Sequence, residues 1–377
     1  MLLTETKSGN VPFGRRENLR KTPWGSSVSY REPLLFLRDS LEPPVATLLF
    51  EPVEILAAHS SCGLFPYEPG RDFVVETRSR RVFLPEGSRI PHLLRRQLYR
   101  RPGERDSISH KAGDENTYLF CAPRAYSRLQ MEITYTHRER WTGPAPTLAT
   151  EQLPKTLARL IAARPLVLGI TGDSVSTGCE ASRECPPYLP GYADLVAGEL
   201  HRAHGSRIRV TNLAVGGTTS ADGVSVASEL AKERPDLTLI AFGLNEMSRR
   251  DPCGYQANVR TIMETIRQDN PQAEFILVSP LPGNREWHFT PPEMASAYRD
   301  ALAALCGPGV AMADVTGIAG EILRRKSYYD LTANGVNHPN DYGHRLYAQV
   351  VLGLLTNPRK PRRRVKRNRN NPAGAND

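Results

Sequence analysis

A hydroxyl, an imidazole, a carboxamide and a glycine pair recur in this sequence at comparable places, each at the end of a short apolar run or just before a helix-like one. Gly172-Asp173-Ser174 follows residues 166–171, Asn212 to Thr219 closes the run at 208–213, and Gly243-Leu244-Asn245-Glu246 follows 237–242. Asn337-His338-Pro339-Asn340 precedes the closing amphipathic stretch. Acyl transfer asks for this set of groups: a hydroxyl nucleophile, a base within hydrogen-bond reach, and N–H donors aimed at the developing oxyanion. Ser174 is expected to open a helix after its strand, so that its own N–H and the helix dipole face the reacting carbonyl. Gly217 offers a backbone N–H unobstructed by a side chain, Asn245 its side-chain amide, and His338 a general base and acid. Taken singly each motif has an ordinary structural reading: a turn, a loop, a cap, a structural histidine. Their shared placement favours the chemical reading.

The elements that must position these groups alternate. Strand patterns at 166–171, 208–213, 237–242, 275–279 and 310–315 are separated by helical patterns at 192–200, 219–233 and 291–305, and by a helical face of Tyr255, Val259, Ile262, Met263 and Ile266. A last helix carries Leu346, Tyr347, Val350, Val351 and Leu354 on one stripe. The alternation predicts an α/β, doubly wound parallel sheet, whose sites lie beyond the carboxyl ends of the strands. Upstream, short strands at 72–77, 81–84, 116–121 and 129–135 are divided by turn material and predict a smaller all-β sandwich. The expected organisation is an N-terminal extension (1–30), a β-sandwich (31–145), a linker at 142–147, a catalytic domain (150–357) and a basic disordered tail (358–377).

With these residues in hand, the C-terminal half resembles the SGNH hydrolases, the GDSL family of esterases and acylhydrolases. Gly172-Asp173-Ser174, Asn212…Gly217, Gly243-Leu244-Asn245-Glu246 and His338-Pro339-Asn340-Asp341 match the four blocks in order, over roughly 165–356. The resemblance implies a flavodoxin-like sheet, a Ser174–His338 mechanism, an oxyanion hole of Ser174, Gly217 and Asn245, and no metal or cofactor. It also implies that Asp173 braces the turn. One position departs: the family usually carries Asp three residues before the His, where this chain has Gly335, with Asn334 displaced by one. The third member is therefore Asp330, placed slightly ahead, or Asn334, or a backbone carbonyl in a Ser–His dyad. Asp341 is expected to cap the last helix. The layout of β-sandwich before hydrolase also resembles two-domain carbohydrate esterases that remove acetyl groups from polysaccharides. On that resemblance Trp287 and Arg285, in the loop after 275–279, are substrate-binding candidates. Trp287 is as well accounted for by packing between its loop and the next helix, and Arg285 by solvation.

Composition bounds the rest. The net charge of +9 is concentrated in residues 357–377, which hold eight Lys/Arg against one Asp, so the body is near neutral and nucleic acid is expected to meet at most the tail, non-specifically. No apolar stretch is long enough to span a bilayer. MLLTETKSGN lacks the pattern of a signal peptide, which predicts a cytoplasmic protein. The six cysteines are expected to be free thiols, and neither GxxxxGK[ST] nor GxGxxG occurs. His201, His204, His59, His92, His110, His137 and His344 have structural readings. Three functions fit: an esterase for O-acyl, expected O-acetyl, groups on a small-molecule or polysaccharide ester; an inactive glycan binder on the same fold; and an acylhydrolase for lipid or thioester.

Overall fold

The structure, a computed structural model, describes residues 17–356; the expected basic tail and the first part of the N-terminal extension lie outside them. The N-terminal half is all-β. Strands β1 (Val28–Leu34), β2 (Phe36–Arg38), β3 (Val45–Thr47), β4 (Pro52–Ser60), β5 (Val74–Val75), β6 (Arg81–Phe83), β7 (His92–Leu94), β8 (Tyr99–Arg100), β9 (Ser107–Lys111), β10 (Asp114–Phe120) and β11 (Met131–His137) form three sheets. Their orders are β1-β11-β4, β8-β10-β9 and β5-β6-β3-β2-β7. The first and third share an apolar cluster that includes Leu34, Phe36, Phe50, Phe73, Val82, Met131, Ile133 and Tyr135.

The C-terminal half is the expected parallel sheet: β12 (Leu166–Gly172), β13 (Ile208–Asn212), β14 (Leu237–Ala241), β15 (Glu274–Val278) and β16 (Val310–Ala313), ordered β13-β12-β14-β15-β16. That is the flavodoxin-like order, and it sets β13, β12 and β14 side by side, so three of the candidate groups emerge from neighbouring strand ends. β14 and β15 are buried at every residue, as strands covered on both faces by helices must be. The helices are α1 (Pro154–Ile161), α2 (Tyr192–His204), α3 (Ser220–Lys232), α4 (Pro252–Asp269), α5 (Pro292–Ala303), α6 (Val315–Leu323) and α7 (Asp341–Leu355). None of the described helices is long and apolar enough to cross a membrane. The strand expected over 310–315 ends at Ala313, because Asp314 accepts from Gly317 N (2.8 Å) and starts α6. Asn340, not Asp341, caps α7 through Gly343 N (3.0 Å), while Asp341 reaches back to Ser182 N (2.8 Å).

The two halves are knitted together. Most of their buried apolar residues belong to one cluster that runs through both halves, and a second, of Leu35, Leu37, Leu98, Tyr126 and Tyr329, also joins them. The stretch expected as a linker is packed down: a side chain on Gly353 of α7 would collide with Pro146, and Ala149 N donates to Leu354 O (3.0 Å). At the seam sits a fully buried ionic cluster. Lys326 Nζ donates to Glu32 Oε1 (2.8 Å) and Thr47 O (2.9 Å) and lies 3.2 Å from Asp330 Oδ2. Glu32 also accepts from Ser29, Tyr135 and Leu49 N, and Asp330 Oδ1 accepts from Leu35 N (2.7 Å). Burial pushes the Asp330 carboxyl up to about 6, against the pull of Lys326.

Removing Lys326 leaves two buried carboxylates without their cation, so Lys326→Met is expected to cost about 3–5 kcal/mol of unfolding free energy. Urea unfolding at neutral pH checks this.

Candidate active site

The turn after β12 is built on close approach. A Cβ on Gly172 would strike Ser176 and the Ala241 carbonyl of β14. Asp173 Oδ1 accepts from Val175 N (3.0 Å), and Asp173 O from Ser176 N (3.0 Å), closing a tight loop around Ser174, which is itself buried. Burial drives the Asp173 carboxyl up to about 7. The helix expected to begin at Ser174 does not form. Residues 174–180 are successive turns, and α2 begins only at Tyr192. Gly178 (φ +82°) and Glu180 (φ +68°) take left-handed backbone, and the Gly178 backbone packs directly on Gly191. A full helix dipole behind Ser174 is therefore not part of this site.

Ser174 Oγ lies 2.8 Å from His338 Nε2. The loop of Gly216 and Gly217 lies beside the serine: a Cβ on Gly216 would stand 3.7 Å from Ser174 Cβ, while Gly217 (φ +80°) faces open space. Asn245 Nδ2 donates to Thr218 O (2.8 Å), which ties the end of β14 to that loop. An amide carries two N–H groups, so one remains for a ligand. Below them Asn212 Nδ2 donates to Ser176 O (2.8 Å), and Glu246 Oε1 accepts from Ser220 N (2.9 Å) at the start of α3.

His338 rides on a buried segment, 329–336, without helix or strand beyond the single 3-10 turn at its start. Thr332 Oγ1 donates to His338 O (2.9 Å), and Asn334 Oδ1 accepts from Val336 N, Asn337 N and His338 N, each at 3.1 Å. The β half supplies the rest. Tyr126 N donates to Ala333 O (2.9 Å), and Gln130 Nε2 to Tyr329 O (2.7 Å) and Thr332 O (3.2 Å). Gly335 has φ +92°, and any Cβ there would overlap the Tyr126 ring. The glycine at the position where an Asp was expected is thus demanded by an aromatic ring from the other half.

Asp330 does not orient the histidine, contrary to the first-ranked expectation. Its two oxygens are committed to Lys326 and Leu35 N at the seam. The groups facing His338 Nδ1 are Asn334 Nδ2 (3.2 Å), Cys179 Sγ (3.6 Å) and Glu180 Oε1 (3.8 Å). The last two carry no signal as partners in the sequence; they stand in the turn after Ser174, and only its reversal brings them to the imidazole. Burial by itself would lower the pKa of His338, but the hydrogen bonds and charge of Cys179 and Glu180 outweigh it and raise the imidazole to about 9. Because that lies above the free value of 6.5, the cluster contributes stability below pH 6.5 and loses it as pH rises through about 9. Cys179, Glu180 and His338 are also the one His/Cys/Asp/Glu group among the described residues compact enough to share a cation, with donor atoms within 4.8 Å of one another. The six cysteines are all free thiols.

The loop after β15 closes the far side. Asn284 Nδ2 donates to Gly335 O (2.9 Å). Trp287 Nε1 donates to Ser109 Oγ (3.2 Å), Ala112 N to Glu286 O (2.8 Å), and His288 stacks on His110 with ring centres 3.8 Å apart. Trp287 thus docks on β9 rather than on the following helix, with Phe289 exposed against it, and Arg285 is exposed.

Residues 170–346 match the model of the GDSL-like lipase/acylhydrolase family. Among solved structures the chain is similar to a two-domain esterase (CEX) active on acetylated mannans, at 22% identity, covering 56% of this chain and 55% of that one with a TM-score of 0.45. It is also similar to a variant of Axe2, an acetyl xylan esterase from Geobacillus stearothermophilus (21% identity, 50% and 94% covered, TM-score 0.40), and to the lipase Lip_vut3 from a goat rumen metagenome (14%, 50% and 97%, 0.42). The chain spans about half the length of the two-domain esterase it matches. No curated protein matches the sequence.

NMR titration of the His338 ring is expected to give a midpoint near 9, and Asp330→Asn is expected to leave that midpoint in place while lowering stability.

Proposed function

We propose that this chain, whose residues 170–346 match the model of the GDSL-like lipase/acylhydrolase family, is a serine esterase that cleaves O-acyl, chiefly O-acetyl, esters of carbohydrate. The observation that carries this reading is the 2.8 Å contact between Ser174 Oγ and His338 Nε2 at the carboxyl edge of the sheet. The Ser174 oxygen attacks the ester carbonyl, and its proton passes to His338 Nε2. The oxyanion that forms is met by Ser174 N–H, Gly217 N–H and the free N–H of Asn245. Collapse expels the sugar alcohol, which takes the proton from His338 and leaves an acyl-serine. Water then repeats the sequence, losing a proton to His338 and releasing acetate and the serine.

The carbohydrate part of the proposal is supported by the aromatic surface at the rim. Trp287 and Phe289 are packed edge to face at 5.3 Å on the loop that follows β15, beside the stacked His288 and His110. Such faces suit the apolar side of a sugar ring, and exposed Arg285 beside them suits an anionic substituent. Acetate release from acetylated mannan and xylan, compared with release from long-chain acyl esters and thioesters, tests the substrate class. Release only from long-chain substrates favours a lipid or thioester acylhydrolase. No release from any, together with no fluorophosphonate labelling of Ser174, favours a glycan binder.

Two outcomes are expected. Ser174→Ala loses turnover by orders of magnitude with an unchanged melting temperature. Trp287→Ala raises KM on acetylated polysaccharide while kcat/KM on p-nitrophenyl acetate stays within roughly twofold.

A further inference from the structure

We propose that Glu180, in the turn that follows Ser174, is the carboxylate that orients His338 through Nδ1, in place of an acid on the histidine's own loop. The proposal rests on the Ser174–His338 reading above. The argument begins with what the imidazole needs. To take a proton at Nε2, the neutral ring must carry its hydrogen on Nδ1, and something must accept it there. Asn334 is the nearest neighbour, and it offers the wrong polarity. Its Oδ1 is filled by three backbone N–H groups of the turn, so the amide cannot flip. Its Nδ2 is the atom turned to Nδ1, with a second bond to Asn337 Oδ1 (2.9 Å). A donor facing Nδ1 favours hydrogen on Nε2, which disables the base. Asp330 is spent on Lys326 and Leu35 N.

Glu180 supplies the negative charge on that side of the ring. Its Oε1 lies 3.8 Å from Nδ1, an ion-pair distance longer than a hydrogen bond, with Cys179 Sγ nearer at 3.6 Å, and its side chain is only 8% exposed. Its Oε2 accepts from Arg124 N (2.6 Å), so a backbone group of the β half holds the carboxylate in place. The residue also occupies left-handed backbone, φ +68°, a conformation that costs a side-chain-bearing residue and persists where its surroundings hold it. Those surroundings are specific. His344 on α7 accepts from Tyr192 N at Nδ1 (3.4 Å) and so donates from Nε2 to Cys179 O (2.9 Å), and Asp341 Oδ1 accepts from Ser182 N (2.8 Å). Residues on both sides of Glu180 are thereby pinned to α7. When His338 takes the Ser174 proton, the negative charge of Glu180 balances the imidazolium. The other ionisable groups around the ring are Cys179 at Nδ1, Asp173 beside Ser174, and His344, kept neutral by burial with its pKa lowered to about 4.

The test separates charge from scaffold. In Glu180→Gln the side-chain carbonyl still accepts from Arg124 N, so the melting temperature is expected to hold. Nδ1 loses its anion, and kcat/KM on an acetyl ester is expected to fall about 10²–10³-fold, with the His338 titration midpoint moving down. Glu180→Asp, which keeps the charge, is expected to retain more activity than Glu180→Gln. Asn334→Ala serves as the comparison. An unchanged midpoint and kcat/KM in Glu180→Gln, or a larger loss in Asn334→Ala at equal stability, overturns the assignment. A second measurement needs no variant at Glu180: nitrogen-15 NMR of the wild-type ring, recorded above the midpoint near pH 9 and assigned with His338→Gln, reads the neutral tautomer directly. Hydrogen on Nδ1 is expected, and hydrogen on Nε2 overturns the proposal. Full turnover in Ser174→Ala would instead overturn the esterase reading, and the tautomer would still decide the role of Glu180.

Discussion

A buried segment with almost no secondary structure must find partners for its polar groups outside itself, and residues 329–336 of this protein are such a segment. Helices and strands satisfy their own backbones. This stretch takes its bonds from Tyr126 N, Gln130 and Asn284, and its charge from Lys326 through Asp330. Two of those three donors and the carboxylate Glu32 that shares Lys326 belong to the β half. The β half is thereby part of the frame that holds His338 opposite Ser174. The same logic explains the glycine at 335, which leaves room for the Tyr126 ring.

The ion cluster at the seam also shows how a carboxylate near His338 in sequence is drawn away from it in space. Asp330 stands only eight residues before His338, close enough in sequence to be read as its partner. A fully buried lysine with two carboxylates and a carbonyl around it is a stronger claim on that side chain, because an uncompensated charge at the same depth costs several kcal/mol. The histidine is left to groups from the serine's own turn. That turn can supply them because it does not become a helix: Gly178 and Glu180 in left-handed backbone fold it back toward α7.

Much of this molecule is legible in the residues. The parallel sheet, the helical face of Tyr255, Val259, Ile262, Met263 and Ile266, and the apolar stripe of the last helix follow from periodicity, which is local physics. So does the gathering of Ser174, Gly217 and Asn245 at one edge, since strand ends on one side of a parallel sheet are neighbours by construction. The absence of a helix at Ser174 is not legible, because it lies in a close contact between Gly178 and Gly191 that no pattern records. The start of α6 falls inside the expected strand, because a capping Asp looks like any other polar residue after a strand.

By itself, then, the sequence determined the fold class and the identity of the serine and histidine that meet across it, since those depend on repeating spacing and on strand ends. Tertiary structure decided which acid faces the imidazole, why Gly335 stands where a carboxylate was expected, and what Trp287 rests on. Each of those is a contact between residues far apart in the chain: Arg124 with Glu180, Tyr126 with Gly335, Ser109 with Trp287. Such contacts depend on the register in which two packed layers meet. That register is a property of the whole core, and no window of sequence contains it.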